Sequence, residues 1–566
     1  MRVGGTISVR TFTSFVAVGL VVLTAAAVDP AARDRAAREL DRPSDVGAAA
    51  AKVWVCFADK GVSRPAEYEA AIARVATEYN PRAVQRRALR GEYAAHGGPL
   101  FDEHDLSVVP AYVDAVASTG AQVLLTSRWL NAVSVRATDV QVQQIAELAC
   151  VAAVRPVVRY RTGDVLDART ASLPAADGDP PAERDRLDYG LSTAQLAQIN
   201  VIDLHDTGYT GAGVIVGVLD TGFRLTHRVF HQPGHPINIV AEWDFVDNDA
   251  NPGIEPGDPL DQHEHGSYIL GTLAAYMPGS LVGGAYDAGF ILCKVEDAAS
   301  EYPLEEDWFA AGLEFIEANG GDVATSSLVA NWYTQEAMDG QTSVMARAWN
   351  LAAARGLHGC QGAGNSGHDA SPLTAHLAAP ADAFKVITVG AVDADGFIAS
   401  FSSDGPTRDG RVKPEVLARG VDTYTLSPWN DTGFEYVSGT SLSTPLAACA
   451  VACLVQAYPG WSVDEMRARL FRSANYYVVH GTYDPMFVLG YGLVDALGAY
   501  QAPHGELNCD GVVNFADINP FVLALSGQAA YQTVFPNCTW YNADCNDDGT
   551  VNFADINPFV ALLSGA

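Results

Sequence analysis

The 566-residue sequence is short of basic residues, since 35 Lys and Arg stand against 67 Asp and Glu, giving a formal net charge of −32. A surface of this sign repels nucleic acid and anionic lipid, so neither is expected as a partner. Hydrophobic residues make up 48% of the chain and charged residues 18%. Most of the chain can therefore form packed cores, and its length suggests more than one domain.

Long apolar runs are also scarce, and the one candidate lies near the N-terminus. Arg2 and Arg10 precede a short apolar run at 15–23 and three alanines at 25–27. This layout predicts a secretory signal peptide over residues 1–27. A membrane anchor is the alternative, but the run is shorter than the roughly 20 apolar residues that span a bilayer. We expect a secreted, extracellular or cell-surface-associated protein with no membrane contact after signal cleavage.

The nine cysteines form an odd set whose spacing does not settle any pairing. Cys449 and Cys453 lie four apart on one predicted helix, which favours small core residues over a disulfide. Cys509, Cys538 and Cys545 crowd the C-terminus. Because export permits disulfides, we expect one bridge among these three.

Composition and periodicity divide the chain into regions. Residues 50–160 mix strand-like and helical segments, which predicts a small α+β domain. The stretch 161–187 is rich in Ala, Asp, Pro and Arg and is interpreted as a linker. Over 188–502, apolar strands such as 214–219 alternate with helices such as 442–457. That alternation predicts an α/β domain with a doubly wound parallel sheet, covered by helices on both faces.

Three short stretches of the 188–502 region carry residues suited to nucleophilic chemistry. Asp220 ends an apolar strand, the place where sites form in parallel sheets. His265 opens a helix, and Ser441 starts another, with Pro445 tolerated in a first turn. A Ser hydroxyl needs a base, His can take and return its proton, and a carboxylate orients the His. The trio in this order predicts a catalytic serine.

Simpler interpretations exist for each stretch alone, such as a turn after a strand or a helix N-cap. An esterase with the same triad is a second alternative, but the sequence lacks a Gly-x-Ser-x-Gly elbow. A zinc site at His263 and His265 is a third. The two histidines lack the His-Glu-x-x-His spacing of metalloproteases, so we favour the serine.

Taken together, these motifs resemble those of a known family. The order Asp, His, Ser is that of subtilisin, and residues 188–502 resemble the catalytic domain of the subtilisin-like serine proteases (subtilases, peptidase S8). The supporting segments are 362–367, 401–406, 413–416 and 490–496. The resemblance implies that Asn365 donates its amide to the oxyanion, and that calcium could also bind in the catalytic domain. A phosphate-cradling loop at 362–367 is disfavoured because it lacks a Lys.

Two positions depart from the family pattern. Ser267 stands where the family usually has Thr, a mild change. Ser327, Leu328 and Val329 resemble the substrate-pairing segment near the primary pocket, but the family has Gly where Val329 stands. Because a branched side chain can narrow the pocket, we expect a narrower choice of P1 residue than a broad-range relative shows.

The α+β domain before the catalytic domain resembles a subtilase propeptide. The resemblance implies a folding template and inhibitor, removed by cleavage in the linker at 161–187. A permanent accessory domain is the alternative. The position between a signal peptide and the catalytic domain favours the propeptide.

An internal repeat occupies the C-terminal tail, where residues 513–522 recur unchanged at 551–560. In each copy, oxygen-bearing side chains fall at positions 1, 3, 5, 9 and 12 of a twelve-residue loop with Gly at 6. This is the calcium-loop spacing of the EF-hand kind, and a metal-free Asn/Asp turn is the alternative. The predicted calcium ligands are Glu506, Asn508, Asp510, Asn514 and Asp517, then Asp544, Asn546, Asp548, Asn552 and Asp555.

The repeat pair over 505–566 resembles the dockerin type I repeats. That resemblance implies a small EF-hand-like helical module, ordered by calcium, that docks on a cohesin-like partner. Tethering to a cell surface and packing on its own protease domain are the alternatives.

The sequence therefore predicts a secreted serine endopeptidase acting on protein or peptide substrates through an acyl-enzyme on Ser441. His265 is the predicted general base and acid, Asp220 orients it, and Asn365 stabilises the oxyanion. The alternative is a catalytically silent protease-fold scaffold whose dockerin-like tail mediates protein binding.

Overall fold

The structure is a computed structural model and describes residues 51–92, 98–156, 167–169, 187–298, 305–501, 504–508, 513–535, 538–546 and 550–564. The predicted signal peptide, most of the predicted linker, and the predicted calcium ligands Asp510 and Asp548 lie outside the described residues.

The N-terminal domain is the predicted α+β unit, built on a four-stranded antiparallel sheet of order β2-β3-β1-β4. Val53, Val55 and Val133 bury one face of the sheet against Val116 and Ile145 of two helices. Its elements are β1 (Ala51–Phe57), α1 (Pro65–Glu78), α2 (Pro81–Arg90), α3 (Pro110–Ala117), β2 (Gln122–Ser127), β3 (Ala132–Ala137), α4 (Asp139–Ala146) and β4 (Val151–Pro156).

A short strand, β5 (Asp167–Arg169), lies inside the region predicted as a linker. It pairs antiparallel with residues 436–438 of the catalytic domain, with Val437 opposite Ala168. The segment is therefore not wholly irregular. Composition could not indicate this strand, because three residues carry no periodic signal and the partner lies more than 260 residues away in sequence.

The catalytic domain contains a seven-stranded, all-parallel sheet of order β16-β15-β14-β13-β6-β12-β9, which confirms the predicted sheet. The strands of the domain are β6 (Ile215–Asp220), β7 (His231–Gln232), β8 (His235–Pro236), β9 (Asn238–Asp244), β10 (Tyr276–Met277), β11 (Leu281–Val282), β12 (Gly289–Lys294), β13 (Val323–Ser326), β14 (His358–Gly362), β15 (Ile387–Val392), β16 (Val416–Arg419), β17 (Thr423–Leu426) and β18 (Phe434–Ser438). Its helices are α5 (Thr193–Ala197), α6 (Val201–Asp206), α7 (Glu264–Ala274), α8 (Glu305–Ala318), α9 (Val344–Ala354), α10 (Thr440–Ala457), α11 (Val463–Ser473), α12 (Asn475–His480) and α13 (Ala496–Tyr500).

Helices cover the sheet on both sides, because successive residues of a strand point to opposite faces. Val216 and Val218 of β6 join the core that includes α7 and α10, while Leu219 joins the core under α8 and α9. Gly217 faces α8 so closely that a Cβ there would lie 2.5 Å from the Ile316 side chain. Strand β6 therefore favours Gly at this point.

One helix of the described residues, α10, is long and apolar enough to span a bilayer by composition, and 89% of it is buried. It packs inside the catalytic core. Cys449 and Cys453 lie in this helix fully buried, with their sulfur atoms near the carbonyls of Thr272 and Gly284. The predicted role of both cysteines as small core residues is confirmed.

The C-terminal tail is a small helical unit with its own core. Phe521 and Phe559, equivalent residues of the two repeats, stack with ring centroids 4.0 Å apart and an interplanar angle of 7°. Cys538 is disulfide-bonded, in line with one bridge near the C-terminus. The helices are α14 (Ile518–Ala524), α15 (Gln528–Val534) and α16 (Ile556–Ser564).

Candidate active site

Asp220 and His265 meet at the carboxyl edge of the sheet. Asp220 is the last residue of β6 and is fully buried, while His265 lies in the first turn of α7. His265 Nδ1 lies 2.7 Å from Asp220 Oδ1, and the Thr221 backbone N–H donates to the same oxygen at 2.8 Å. The carboxylate therefore fixes the orientation of the imidazole and leaves Nε2 on its far side for chemistry.

Close approach of helix and strand depends on Gly266. A Cβ at this position would lie 2.2 Å from the Gly222 carbonyl oxygen and 3.0 Å from Asp220 Cβ. Any larger residue would push α7 away from β6. The Gly after His265 is thus required by packing at the site.

The pKa of His265 is raised above its ordinary value. Burial disfavours the charged imidazolium, but the attraction of Asp220 and the hydrogen bond to it outweigh that effect, and Glu296 and Glu264 add to it. A raised pKa strengthens the imidazole as a base and keeps it protonated to a higher pH. Below this pKa most of the imidazole is already protonated and cannot act as a base.

Ser441 and Asn365 lie together at the start of α10. Ser441 is the second residue of that helix and is buried. Asn365 follows β14, and its Oδ1 accepts from the Thr440 N–H at 2.9 Å and from Thr440 Oγ1 at 3.0 Å. These two bonds fix the orientation of the Asn365 amide, whose only donor, Nδ2, could then donate to an oxyanion.

Pro445 leaves one carbonyl of α10 without its usual hydrogen-bond donor, and Ser327 supplies a donor. The structure starts α10 at Thr440, so Pro445 lies in the second turn of the helix, not in its first turn as predicted. Proline has no N–H for the carbonyl four residues earlier, which is that of Ser441. Ser327 Oγ donates to this carbonyl at 2.9 Å. The predicted substrate segment thereby holds the backbone of the candidate nucleophile.

The rest of that segment lies at the end of β13, the strand next to β6. Leu328 is buried and Val329 half-buried, and the Leu328 carbonyl accepts from Gln361 Nε2 at 2.8 Å. The three carboxyl-end positions thus fall on adjacent strands, with Asn365 after β14, Ser327–Val329 after β13 and Asp220 on β6.

Comparison with known proteins identifies the family to which the chain belongs. A family model described as the subtilase family matches residues 211–493, half of the chain. The chain is a subtilase. A second model, the peptidase S8 propeptide domain of Bacteroidota, matches residues 52–168. The N-terminal α+β domain is therefore a propeptide domain.

Curated relatives agree with this assignment. Subtilisin E of Bacillus subtilis is 30% identical over 314 residues, which are 55% of this chain and 71% of that protein. Subtilisin of Bacillus pumilus is 30% identical over 314 residues and is covered over 98% of its length. The serine protease AprX of Bacillus subtilis is 31% identical over 293 residues, 46% of this chain and 61% of that protein. This subtilase is a serine-type endopeptidase.

Among solved structures, fervidolysin from Fervidobacterium pennivorans, a keratinolytic enzyme related to subtilisin, has a TM-score of 0.55 at 20% identity. The alignment covers 82% of this chain and 62% of fervidolysin. The likeness shows the same fold.

The zinc alternative is not supported by the positions of the two histidines. His263 is buried, and its Nε2 lies 3.0 Å from the Pro428 carbonyl oxygen, whereas His265 Nδ1 faces Asp220. The two imidazoles of this subtilase therefore contact different groups, a backbone carbonyl and a carboxylate.

The tail repeats place equivalent predicted ligands in equivalent positions. Asp517 Oδ1 accepts from the Leu507 and Asn508 N–H groups at 2.7 and 3.1 Å, and Asp555 Oδ1 accepts from Cys545 and Asn546 at 2.8 and 3.2 Å. Each loop also buries a second carboxylate. The four buried carboxylates belong to Glu506, Asp517, Asp544 and Asp555.

A further acidic group lies in the catalytic domain, where ligand atoms of Asp244, Asp249 and Glu255 lie within 4.8 Å of one another. Lys294 Nζ already lies 2.8 Å from Asp244 Oδ2. Part of the negative charge of this group is therefore balanced by a buried ammonium.

The sequence analysis did not predict helix α2, whose four arginines contact the catalytic domain. Arg86 and Arg87 both pair with Glu317, and Arg82 and Arg90 both pair with Asp322. Pro81 at the first helical position and arginines spaced four apart were the available signals.

Proposed function

We propose that this subtilase is a secreted zymogen that cleaves peptide bonds with Ser441 as nucleophile. The observation that carries the residue assignment is the 2.7 Å contact between His265 Nδ1 and Asp220 Oδ1, beside Ser441 and Asn365 at one sheet edge. His265 is the general base and acid, Asp220 orients it, and Asn365 stabilises the oxyanion.

The steps follow from these positions. The Ser441 Oγ–H bond breaks as His265 Nε2 takes the proton and Oγ bonds to the substrate carbonyl carbon. The carbonyl oxygen becomes an oxyanion, which Asn365 Nδ2 and the N-terminus of α10 stabilise. The C–N bond then breaks, the amine leaves with the proton from His265, and an acyl-enzyme remains. Water repeats the sequence and releases the acid product.

Export and maturation complete this proposal. The basic start and short apolar run at the N-terminus support secretion, and the location of the propeptide domain supports cleavage within 161–187. A catalytically silent scaffold is disfavoured because all four catalytic positions carry the required residues.

Turnover of casein by the purified full-length protein, beside Ser441→Ala, tests the catalytic proposal. We expect activity and labelling of Ser441 by a fluorophosphonate in the parent, with neither in the variant. N-terminal sequencing of the secreted product is expected to give starts after residue 27 and within 161–187. An inactive parent, after demonstrated loss of the propeptide, would favour the silent scaffold.

For the tail we propose a calcium-ordered docking module. Support comes from the four buried carboxylates, because a hard cation offsets the cost of burying like charges in so small a unit. The described ligands are Glu506, Asn508, Asn514 and Asp517, then Asp544, Asn546, Asn552 and Asp555. Calcium titration followed by calorimetry is expected to show saturable binding that Asp555→Asn weakens and the matched surface change Asp395→Asn does not.

The proposed docking surface consists of equivalent apolar side chains in the two repeats. Phe515 and Phe553 are each 78% exposed, and two further residues per repeat are also exposed. The full set is Phe515, Ile518 and Val522, then Phe553, Ile556 and Val560. A large exposed apolar patch marks an interaction site, and we propose a cohesin-like or cell-surface protein as its partner.

Binding of the secreted protein to intact cells of its source tests the docking proposal. We expect retention that a Phe515→Ser, Phe553→Ser double variant loses while casein turnover persists. Packing of the tail on its own protease domain is the alternative, and failure of the parent protein to be retained would favour it.

A further inference from the structure

The segment 362–367, which carries Asn365, contains three glycines. Gly364 and Gly367 have φ values of +111° and +84°, in the region that favours glycine. Such a backbone is permissive, so it does not by itself hold a neighbouring side chain in one place. An oxyanion donor must nevertheless lie within about 0.5 Å of its productive position. Contacts from outside the segment are therefore needed to hold Asn365.

Ser403 bonds to the residue on each side of Asn365. Its N–H donates to the Gly364 carbonyl at 3.0 Å, and its Oγ accepts from the Ser366 N–H at 3.0 Å. Ser403 is 1% exposed, and hydrogen bonds are stronger in such a low-dielectric environment. One buried residue thus brackets the backbone of Asn365.

Packing also holds the Ser403 hydroxyl against the segment 362–367. A Cβ at Gly364 would lie 2.9 Å from Ser403 Oγ and 3.1 Å from the Ala378 Cβ. One residue beyond Ser366, the Gly367 N–H donates to the Phe401 carbonyl at 2.7 Å. The segments 362–367 and 401–403 are therefore joined at Gly364, Ser366 and Gly367.

The side chain of Asn365 is oriented by a different residue. Its Oδ1 accepts from the N–H and the hydroxyl of Thr440. Thr440 thus fixes the rotation of the amide, whereas Ser403 fixes the backbone from which the side chain projects. The position of Nδ2 at the oxyanion depends on both contacts.

We propose that Ser403 is a positioning residue for the stabilisation of the oxyanion by Asn365. The inference rests on the role proposed for Asn365 and adds a residue that acts through it. An interaction made only in the transition state affects kcat and not KM. Loss of the Ser403 hydroxyl should therefore lower kcat and leave KM unchanged.

Ser402 supplies the matched control, because it is the adjacent serine and is also 1% exposed. Its Oγ accepts from the Ala391 N–H at 3.0 Å, in β15 and not in the segment 362–367. Ser402→Ala and Ser403→Ala each remove a buried hydroxyl that accepts from one backbone N–H. Their thermal unfolding midpoints should fall by similar amounts, so a difference in kcat reports the place of the lost bond.

Turnover of a peptide substrate by the mature enzyme tests the proposal, with active enzyme counted by exhaustive fluorophosphonate labelling. We expect Ser403→Ala to lower kcat by about tenfold or more with KM within about twofold, and Ser402→Ala to leave both within about twofold. Ser403→Cys has a similar size and a weaker acceptor atom, and should also lower kcat. This variant takes the place of Ser403→Ala in every comparison should Ser403→Ala fail to fold.

A double-mutant cycle with Asn365→Ala separates positioning from general destabilisation. In that background Ser403→Ala should change kcat by no more than about threefold, because the donor that it positions is gone. An unchanged kcat in Ser403→Ala, or the same fold loss in both backgrounds, would overturn the proposal while leaving the role of Asn365 intact. An Asn365→Ala enzyme with the kcat of the parent would overturn both.

Discussion

The propeptide and the C-terminal repeats border the same catalytic domain through different kinds of contact. The propeptide presents cations to carboxylates of α8 and the turn after it, and most of these groups are buried. The tail meets the domain around Arg469, whose Nη2 lies 3.3 Å from the Tyr541 carbonyl, and around His504, 3.0 Å from the Asp544 carbonyl.

The two kinds of contact differ in what the catalytic domain loses when each unit detaches. Without the propeptide, Glu317 and Asp322 lose the arginines that pair with them. Replacing one partner of such a buried ion pair while the propeptide stays in place is costly, since the other charge is left buried and uncompensated. The tail instead holds its own core around Phe521 and Phe559. We infer that the propeptide is coupled strongly to the catalytic domain and the tail weakly.

The largest expected effect is at Arg86, whose hydrogen bonds and ion pair among the described residues go to the catalytic domain. Its guanidinium pairs with Glu317 and donates to the backbone carbonyls of Gly321 and Arg355. In the inactive Ser441→Ala chain, Arg86→Met should lower the free energy of unfolding of the propeptide domain by about 3–5 kcal/mol. Urea titration followed by tryptophan fluorescence measures this change.

Arg74→Ala is the matched control, because Arg74 is an exposed residue of α1. Its effect should stay within about 0.5 kcal/mol. Equal effects of the two substitutions would contradict the coupling of the propeptide through buried ion pairs.

Weak coupling of the tail is tested at Phe521. Phe521→Ala removes a buried ring from the tail core and should destabilise that unit by about 3–5 kcal/mol. Casein turnover should be unchanged, since the ring touches no catalytic residue. Calorimetry that resolves the tail transition gives the first quantity. A parallel loss of activity would mean that the tail supports the catalytic domain.

The propeptide contact should also depend on pH. Burial raises the pKa of Glu317, but Arg86 and Arg87 outweigh it and hold this pKa at about 2. Because the Glu317 pKa is lowered in the complex, the ionised carboxylate stabilises the complex above the ordinary pKa of about 4.3. This stabilisation is lost as the pH falls from there towards about 2. Propeptide binding should therefore weaken below about pH 4.5, and Glu317→Gln should flatten that dependence. Gel filtration after linker cleavage measures it.

The smallest effect is expected for the exposed pair at the rim of the same contact. Lys385 Nζ lies 2.7 Å from Glu92 Oε1, and Glu92 is largely solvated. Glu92→Gln should change the stability of the propeptide domain by no more than about 1 kcal/mol, because water screens such pairs. A loss of stability as large as that caused by Arg86→Met would show that burial does not determine which of these ion pairs contributes more.

Local patterns predicted the parts of the site that depend on local structure. The apolar strand ending on Asp220 and the helix starts at His265 and Ser441 lie where their sequences indicate. Sequence could not predict that Ser327 binds the carbonyl that Pro445 leaves unpaired, because the two segments are 114 residues apart. Helix α2 was missed because arginines dominate it and its apolar residues are few.

The central claim is that Ser441 and Asn365 form the acyl-transfer site, and one set of turnover measurements tests it. In subtilisin itself, loss of the catalytic serine lowers kcat by about 10⁶, and loss of the oxyanion asparagine by about 10²–10³. Mature Ser441→Ala should lose turnover of a peptide substrate on the first scale, and Asn365→Ala on the second, with little change in KM. Retained turnover in folded Ser441→Ala, free of contaminating protease, would contradict the account.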